Sequence, residues 1–138
     1  MSNNHITDFN NLNDNQKDLF TVNIIKGLVM DGVRNANSGH PGGPMSLADF
    51  TYILYSEFLT IDPKNPDWEN RDRVVLSVGH TCMLIYSILY LCGILKMDDL
   101  KNFRKLGSLT PGHPEIETPG IDASTGPLGQ GVGMGIGM

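Results

Sequence analysis

The sequence predicts an α/β protein, on three observations. Leu19, Val22, Ile25, Val29, Val33 and Ala36 recur at spacings of three and four, which is one face of a helix. Residues 73–78 (Arg-Val-Val-Leu-Ser-Val) form a short β-branched run, the best strand pattern in the chain. That run passes through Gly79-His80 into a segment near 81–91 that is apolar nearly all round and so belongs in the interior. In open α/β sheets, the carboxyl end of such a strand is the edge where ligands bind.

The elements follow in order. Residues 1–13, rich in Asn and Asp with few apolar anchors, read as a flexible arm, and residues 14–138 as one partial domain. Asn13 or Asp14 can cap the first helix, and Ile24 and Leu28 widen its apolar face toward burial on more than one side. It stops in Asn35-Ala36-Asn37-Ser38-Gly39-His40-Pro41-Gly42-Gly43-Pro44, where glycines and prolines end helices. Ser46 and Asp49 have capping-box spacing for a second helix striped by Leu47, Phe50, Leu54 and Phe58. Thr81 is placed to cap the apolar helix, and a short charged helix is predicted over about 98–106. Residues 107–124 carry no periodicity, and a loop that long in a compact domain is usually functional. Pro127 suits the first turn of a last, glycine-rich helix. Reaching residue 138 without cap or charge, that helix reads as cut within an element, and the chain as the N-terminal piece of a larger α/β protein.

Composition removes several function classes. The chain has 138 residues, 40% apolar and 18% charged, with a formal net charge of −5. Without a basic block, nucleic acid is not an expected partner. The longest apolar run, 82–95, is broken by Ser87, Gly93 and two tyrosines, so no membrane span is expected. The first 15 residues lack the pattern of a secretory signal. Cys82 and Cys92 fall ten residues apart on one helix, about 15 Å along its axis, too far for a disulfide. The simplest reading is a reduced, cytoplasmic chain. Cys82, flanked by Met83, Leu84 and Ile85, reads as a small buried residue and not as a nucleophile.

The histidines carry the functional signal. Three of the four, His40, His80 and His113, directly follow a glycine, and two of those precede a proline; His5 lies in the arm. Glycine permits close approach of backbone or ligand, and proline fixes the geometry that follows. Such histidines are held by their backbone, and imidazoles suit proton transfer or charge stabilisation on a hydroxylated substrate. No His-Glu-x-x-His or close Cys/His pair points to zinc. Six of the 16 glycines fall in residues 126–138, yet no Gly-x-Gly-x-x-Gly or Gly-Lys-Ser/Thr can be placed there. Close helix packing and close backbone approach to a flat or anionic ligand both remain open for that end.

Taken together, five collinear stretches resemble the transketolase family. They are Ala36-Asn37-Ser38-Gly39-His40-Pro41-Gly42-Gly43-Pro44-Met45; Asn70-Arg71-Asp72-Arg73 leading to Leu76-Ser77-Val78-Gly79-His80; Met83-Leu84-Ile85-Tyr86-Ser87; Thr110-Pro111-Gly112-His113-Pro114-Glu115; and Thr125-Gly126-Pro127-Leu128-Gly129-Gln130-Gly131. The resemblance implies the N-terminal part of a thiamine diphosphate-binding fold, a parallel sheet flanked by helices, here truncated. It implies transfer of a two-carbon ketol unit between sugar phosphates in the pentose phosphate pathway, by a homodimer with thiamine diphosphate and Mg²⁺. By family pattern, His40 and His113 are catalytic and line the donor site, while His80, Gly126, Pro127 and Leu128 contact the cofactor. Val78 stands where many members have Asn. The family's metal motif, Gly-Asp-Gly followed by Asn, lies beyond the matched stretches, so no metal ligand is assigned here and the isolated chain is expected to be inactive. Dihydroxyacetone synthase is a related alternative; deoxyxylulose phosphate synthase fits the Pro-Gly-His-Pro-Glu and Gly-Pro-Leu-Gly-Gln-Gly motifs less well. A non-catalytic binding or assembly module that keeps the first part of the fold is the alternative outside the enzyme class.

Overall fold

The computed structural model describes residues 8–138; His5 and the start of the expected arm lie outside the described residues. Phe9–Asn11, within that arm, forms a 3₁₀ turn closed by the Asp8 carboxylate, which accepts from the Asn10 N–H. Helix α1 (Asp14–Ala36) opens with a reciprocal capping box between Asn13 and Gln16. It ends on Asn37 in the left-handed region, whose N–H reaches back to the Arg34 and Val33 carbonyls. Its buried line is Val22, Ile25, Val29 and Gly32. Leu19, predicted on that face, is 61% exposed, and Ile24 also faces outward, so α1 is buried along one stripe only.

Helix α2 (Gly42–Ile53) begins four residues before the predicted cap. Pro44 serves the first turn, where its missing N–H costs nothing. Ser46 is already inside the helix and donates to the Gly42 carbonyl, while Asp49 pairs with Lys26 of α1 at 2.7 Å. A π-helical turn, Leu54–Phe58, follows. Phe50 and Phe58 of the predicted stripe are exposed, and Ala48 is the buried contact.

Helix α3 (Cys82–Leu91) is the hub: eight of its ten residues, Cys82 through Leu89, are buried. One face packs with Val29, Leu95, Leu100 and Phe103. The other packs with Val22, Ile25 and Ala48. Helix α4 (Met97–Lys101) is shorter than the charged helix predicted, because the chain turns at Asn102 and Arg104 takes a φ of 63°. Helix α5 (Gln130–Gly137) starts at Gly129, which has a φ of 83° that favours glycine; Pro127 lies in the turn before it, not in the first helical turn.

The strand predicted over 73–78 is not formed, and no strand occurs among the described residues; the parallel sheet expected of the fold is absent from them. Residues 72–76 instead run beside 121–126, joined by side chains. The Val74 N–H donates to the Asp122 carboxylate at 2.9 Å, and the Thr125 hydroxyl donates to the Leu76 carbonyl at 2.6 Å. A strand requires backbone-to-backbone rungs, and here side chains take those positions. The period-2 alternation survives. Leu76 packs toward the α3 cluster, and Val75 and Ser77 lie against α5 at Gly131. The two extended segments thus lie between α3 and α5 without forming a ladder.

Candidate functional site

Three Gly-His steps contribute to the candidate site, and for two of them, Gly39 and Gly79, the backbone itself calls for glycine. Gly39 has a φ of 138°, which L side chains rarely adopt. Gly79 lies where a Cβ would stand 2.7 Å from the Thr125 carbonyl oxygen, so only glycine lets the two segments meet. Gly112 sits under the Arg104 guanidinium, 2.9 Å from a Cβ placed there.

The His40 and His80 rings meet edge to face, their centroids 4.9 Å apart and their planes at 65°. The turn after His40 is seated on the neighbouring helix start, because Gly43 lies directly against the Thr81 methyl. Thr81 is buried, but its hydroxyl donates to the Val78 carbonyl at 2.8 Å and makes no helix cap, so His80 stands in a 3₁₀ turn (Gly79–Thr81) ahead of α3. His113 comes from the long loop, its Cδ2 4.0 Å from where a Cβ on Gly126 would be. The two halves join through the Gly79–Thr125 contact, since Thr125 immediately precedes Gly126. His40 thus touches His80, His113 lies beside Gly126, and the buried Gly79–Thr125 contact links the two pairs along the chain. Pro127 and Leu128 follow Gly126 as exposed residues.

The surroundings of these contacts are rigid. Arg71 and Asp122 form a largely buried ion pair, with Arg73 at 3.7 Å from the same carboxylate, which fixes 71–74 against 122. Three buried threonines pin the 107–124 loop and its exit. Thr110 donates to the Asp99 carbonyl at 2.6 Å, Thr118 to the Leu109 carbonyl at 2.7 Å, and Thr125 to Leu76 as above. From α3, Cys82 and Tyr86 reach the same loop. Burial pushes the Cys82 thiol up to about 12 and raises the Tyr86 phenol, so both stay protonated donors. Cys82 and Cys92 are both free thiols, and Cys82 is buried as its sequence context predicts.

Sequence reasoning missed Asp122, the buried threonines and the donors on α3. Asp122 and Thr118 carry no local pattern. Thr125 and Tyr86 stand inside the motifs already quoted, but nothing in their spacing shows which carbonyls they reach.

Imidazoles, main-chain groups of a Gly-Pro-Leu turn and exposed apolar atoms together suit a flat heteroaromatic ring beside a hydroxylated substrate. That chemistry fits the ring portion of thiamine diphosphate. A diphosphate also needs a cation, and among the described residues no group of three or more His, Cys, Asp or Glu side chains converges to hold one. The contacts of His40 with His80 and of His113 with Gly126 mark this region as the candidate small-molecule site.

Residues 17–138 match the family described as transketolase, thiamine diphosphate binding domain, and the chain belongs to that family. It is 58% identical over 119 residues to a transketolase of Buchnera aphidicola, covering 85% of this chain and 18% of that protein. Among solved structures, a transketolase from Leishmania mexicana superposes with a TM-score of 0.85 at 47% identity, covering 87% of this chain and 18% of that one. A Pichia stipitis transketolase solved in complex with sedoheptulose 7-phosphate gives 0.84 at 49% identity, with 87% and 18% covered. The chain thus spans about a fifth of the length of these relatives.

Proposed function

We propose that this chain forms the N-terminal, donor-facing part of a transketolase, which moves a two-carbon ketol unit from a ketose phosphate to an aldose phosphate. The full enzyme would be a cytoplasmic homodimer of the pentose phosphate pathway, with Mg²⁺ ligands and the remaining cofactor contacts supplied outside residues 1–138. The observation that carries this reading is the edge-to-face contact of His40 with His80, linked through Gly79–Thr125 to the Gly126 turn beside His113. Transketolase relatives at 47–58% identity, one of them holding a sugar phosphate, support the reaction class.

Thiamine diphosphate, when bound, supplies the stabilised carbanion that a ketose carbonyl carbon cannot become unaided. This chain's residues do the rest of the local work. His80, Gly126, Pro127 and Leu128 would pack against the ring and offer it main-chain groups. His40 is exposed and can exchange a proton with a substrate hydroxyl while remaining in contact with His80. His113 is half-buried on a pinned loop, a placement suited to holding donor hydroxyls in one orientation.

The test uses a chimera in which residues 17–138 replace the matching segment of a full-length transketolase relative. His113→Ala should lower kcat/KM for the donor ketose by roughly a hundredfold while leaving thiamine diphosphate affinity within about twofold. Equal losses in both would contradict the assignment.

A further inference from the structure

We propose that Tyr86 and Cys82 are positioning residues that set the His113 imidazole through its backbone; this rests on the reading of His113 as a donor-site residue. Both project from α3, one helical turn apart, and both are completely buried. The Tyr86 hydroxyl lies 3.0 Å from the Pro111 carbonyl oxygen and 3.1 Å from that of His113, so its one proton is shared between them. The Cys82 thiol donates to the carbonyl between, that of Gly112, at 3.1 Å. The flanking carbonyls are also taken: Thr110 accepts from the Arg104 N–H at 2.9 Å, and Pro114 from the Thr125 N–H at 3.2 Å.

Five consecutive carbonyls, 110–114, are therefore held by donors from three separate parts of the chain. Satisfying the backbone could be left to solvent in a surface loop. Here the donors to 111–113 are interior groups on the most buried helix, and His113, within that run, carries a half-buried imidazole. With the peptide planes on both sides of His113 fixed, the direction of its Cα–Cβ bond toward Gly126 is fixed, which leaves the ring only its own rotamers. Neither donor touches the site's open surface, so each acts through His113.

The test uses the chimeric holoenzyme described above. Tyr86→Phe keeps the ring and removes only the hydroxyl. It should lower donor kcat/KM roughly tenfold, with cofactor affinity unchanged. Placed in a His113→Ala background, it should cost nothing further, because its route of action has been removed. Full additivity of the two losses would overturn the clamp alone; a His113→Ala enzyme with unchanged donor kcat/KM would overturn the clamp and the His113 assignment together. If Tyr86→Phe fails to fold, Cys82 gives an independent reading. Cys82→Ala should lose activity severalfold and Cys82→Ser, which keeps a donor, should regain it. A Cys82→Ser enzyme as impaired as Cys82→Ala would overturn the proposal.

Discussion

Helices α3 and α5 have similar apolar character in sequence and opposite burial within residues 8–138. α3 is buried on all sides and its Tyr86, Ser87 and Cys82 polar atoms each find a carbonyl. In α5 only Gly131 is buried, and Val132 and Ile136 are exposed. Both flank the extended pair formed by 72–76 and 121–126. Within the described residues, the burial of each helix follows from the neighbours present. α1 and α2 both pack on α3, whereas α5 meets its neighbour along one glycine edge.

The largest effect that can test this contrast is truncation of core side chains. Leu84, fully buried between α1 and α2, should cost about 2–5 kcal/mol on Leu84→Ala, from lost transfer energy and the cavity left behind. Ile136→Ala, on the exposed face of α5, should change the urea midpoint of the same chain by well under about 0.5 kcal/mol equivalent. Comparable losses at the two positions would mean that α5 is as well packed as α3.

The glycines of α5 sharpen the comparison within one helix. A Cβ on Gly131 would stand 2.7 Å from the Ser77 Cα, a backbone atom that cannot swing aside, so Gly131→Ala should destabilise by roughly 1–3 kcal/mol. Gly133 has nothing within 4 Å of that position. There, Gly133→Ala should stabilise by up to about 1 kcal/mol through helix propensity. Opposite signs in paired unfolding curves are the expected result; the same sign at both would remove Gly131 as the point of contact.

Much of this was legible in the sequence, and the failures share a cause. The stop after Ala36 followed from Gly and Pro chemistry, and the central place of α3 from its unbroken apolar pattern. Two of the Gly-His steps marked rings that meet, those of His40 and His80, and the third histidine lies beside Gly126. Run 73–78 was misread because β-branched composition reports fit to a half-buried extended layer, not the presence of a partner. Its alternation was real, but its hydrogen bonds went to Asp122 and Thr125, 48 and 49 residues away. The capping box at Ser46 failed for a related reason: Pro44 could open α2 earlier, so the local signal at Ser46 was overridden. The loop over 107–124 was flagged by its length, yet its rigidity depends on buried hydroxyls whose acceptors are distant or unpatterned.

The smallest effect at neutral pH concerns the polar groups that α3 buries and α5 lacks. Burial raises the Cys82 thiol from an ordinary 9.0 to about 12, so at pH 7 it is protonated in both folded and unfolded chains and contributes no pH dependence. Between those values the unfolded thiol loses its proton while the folded one keeps it. The folded state then binds more protons, and stability must fall as pH rises through that window. The Tyr86 phenol, also raised by burial, adds to the same decline once the pH passes its ordinary value near 10. Urea midpoints measured from pH 7 to 11 should therefore drop above about pH 9. They should drop less steeply in Cys82→Ser, whose hydroxyl does not titrate there. Parallel curves for the two chains would show that the thiol is accessible to water, and with it that α3 is less enclosed than its packing indicates.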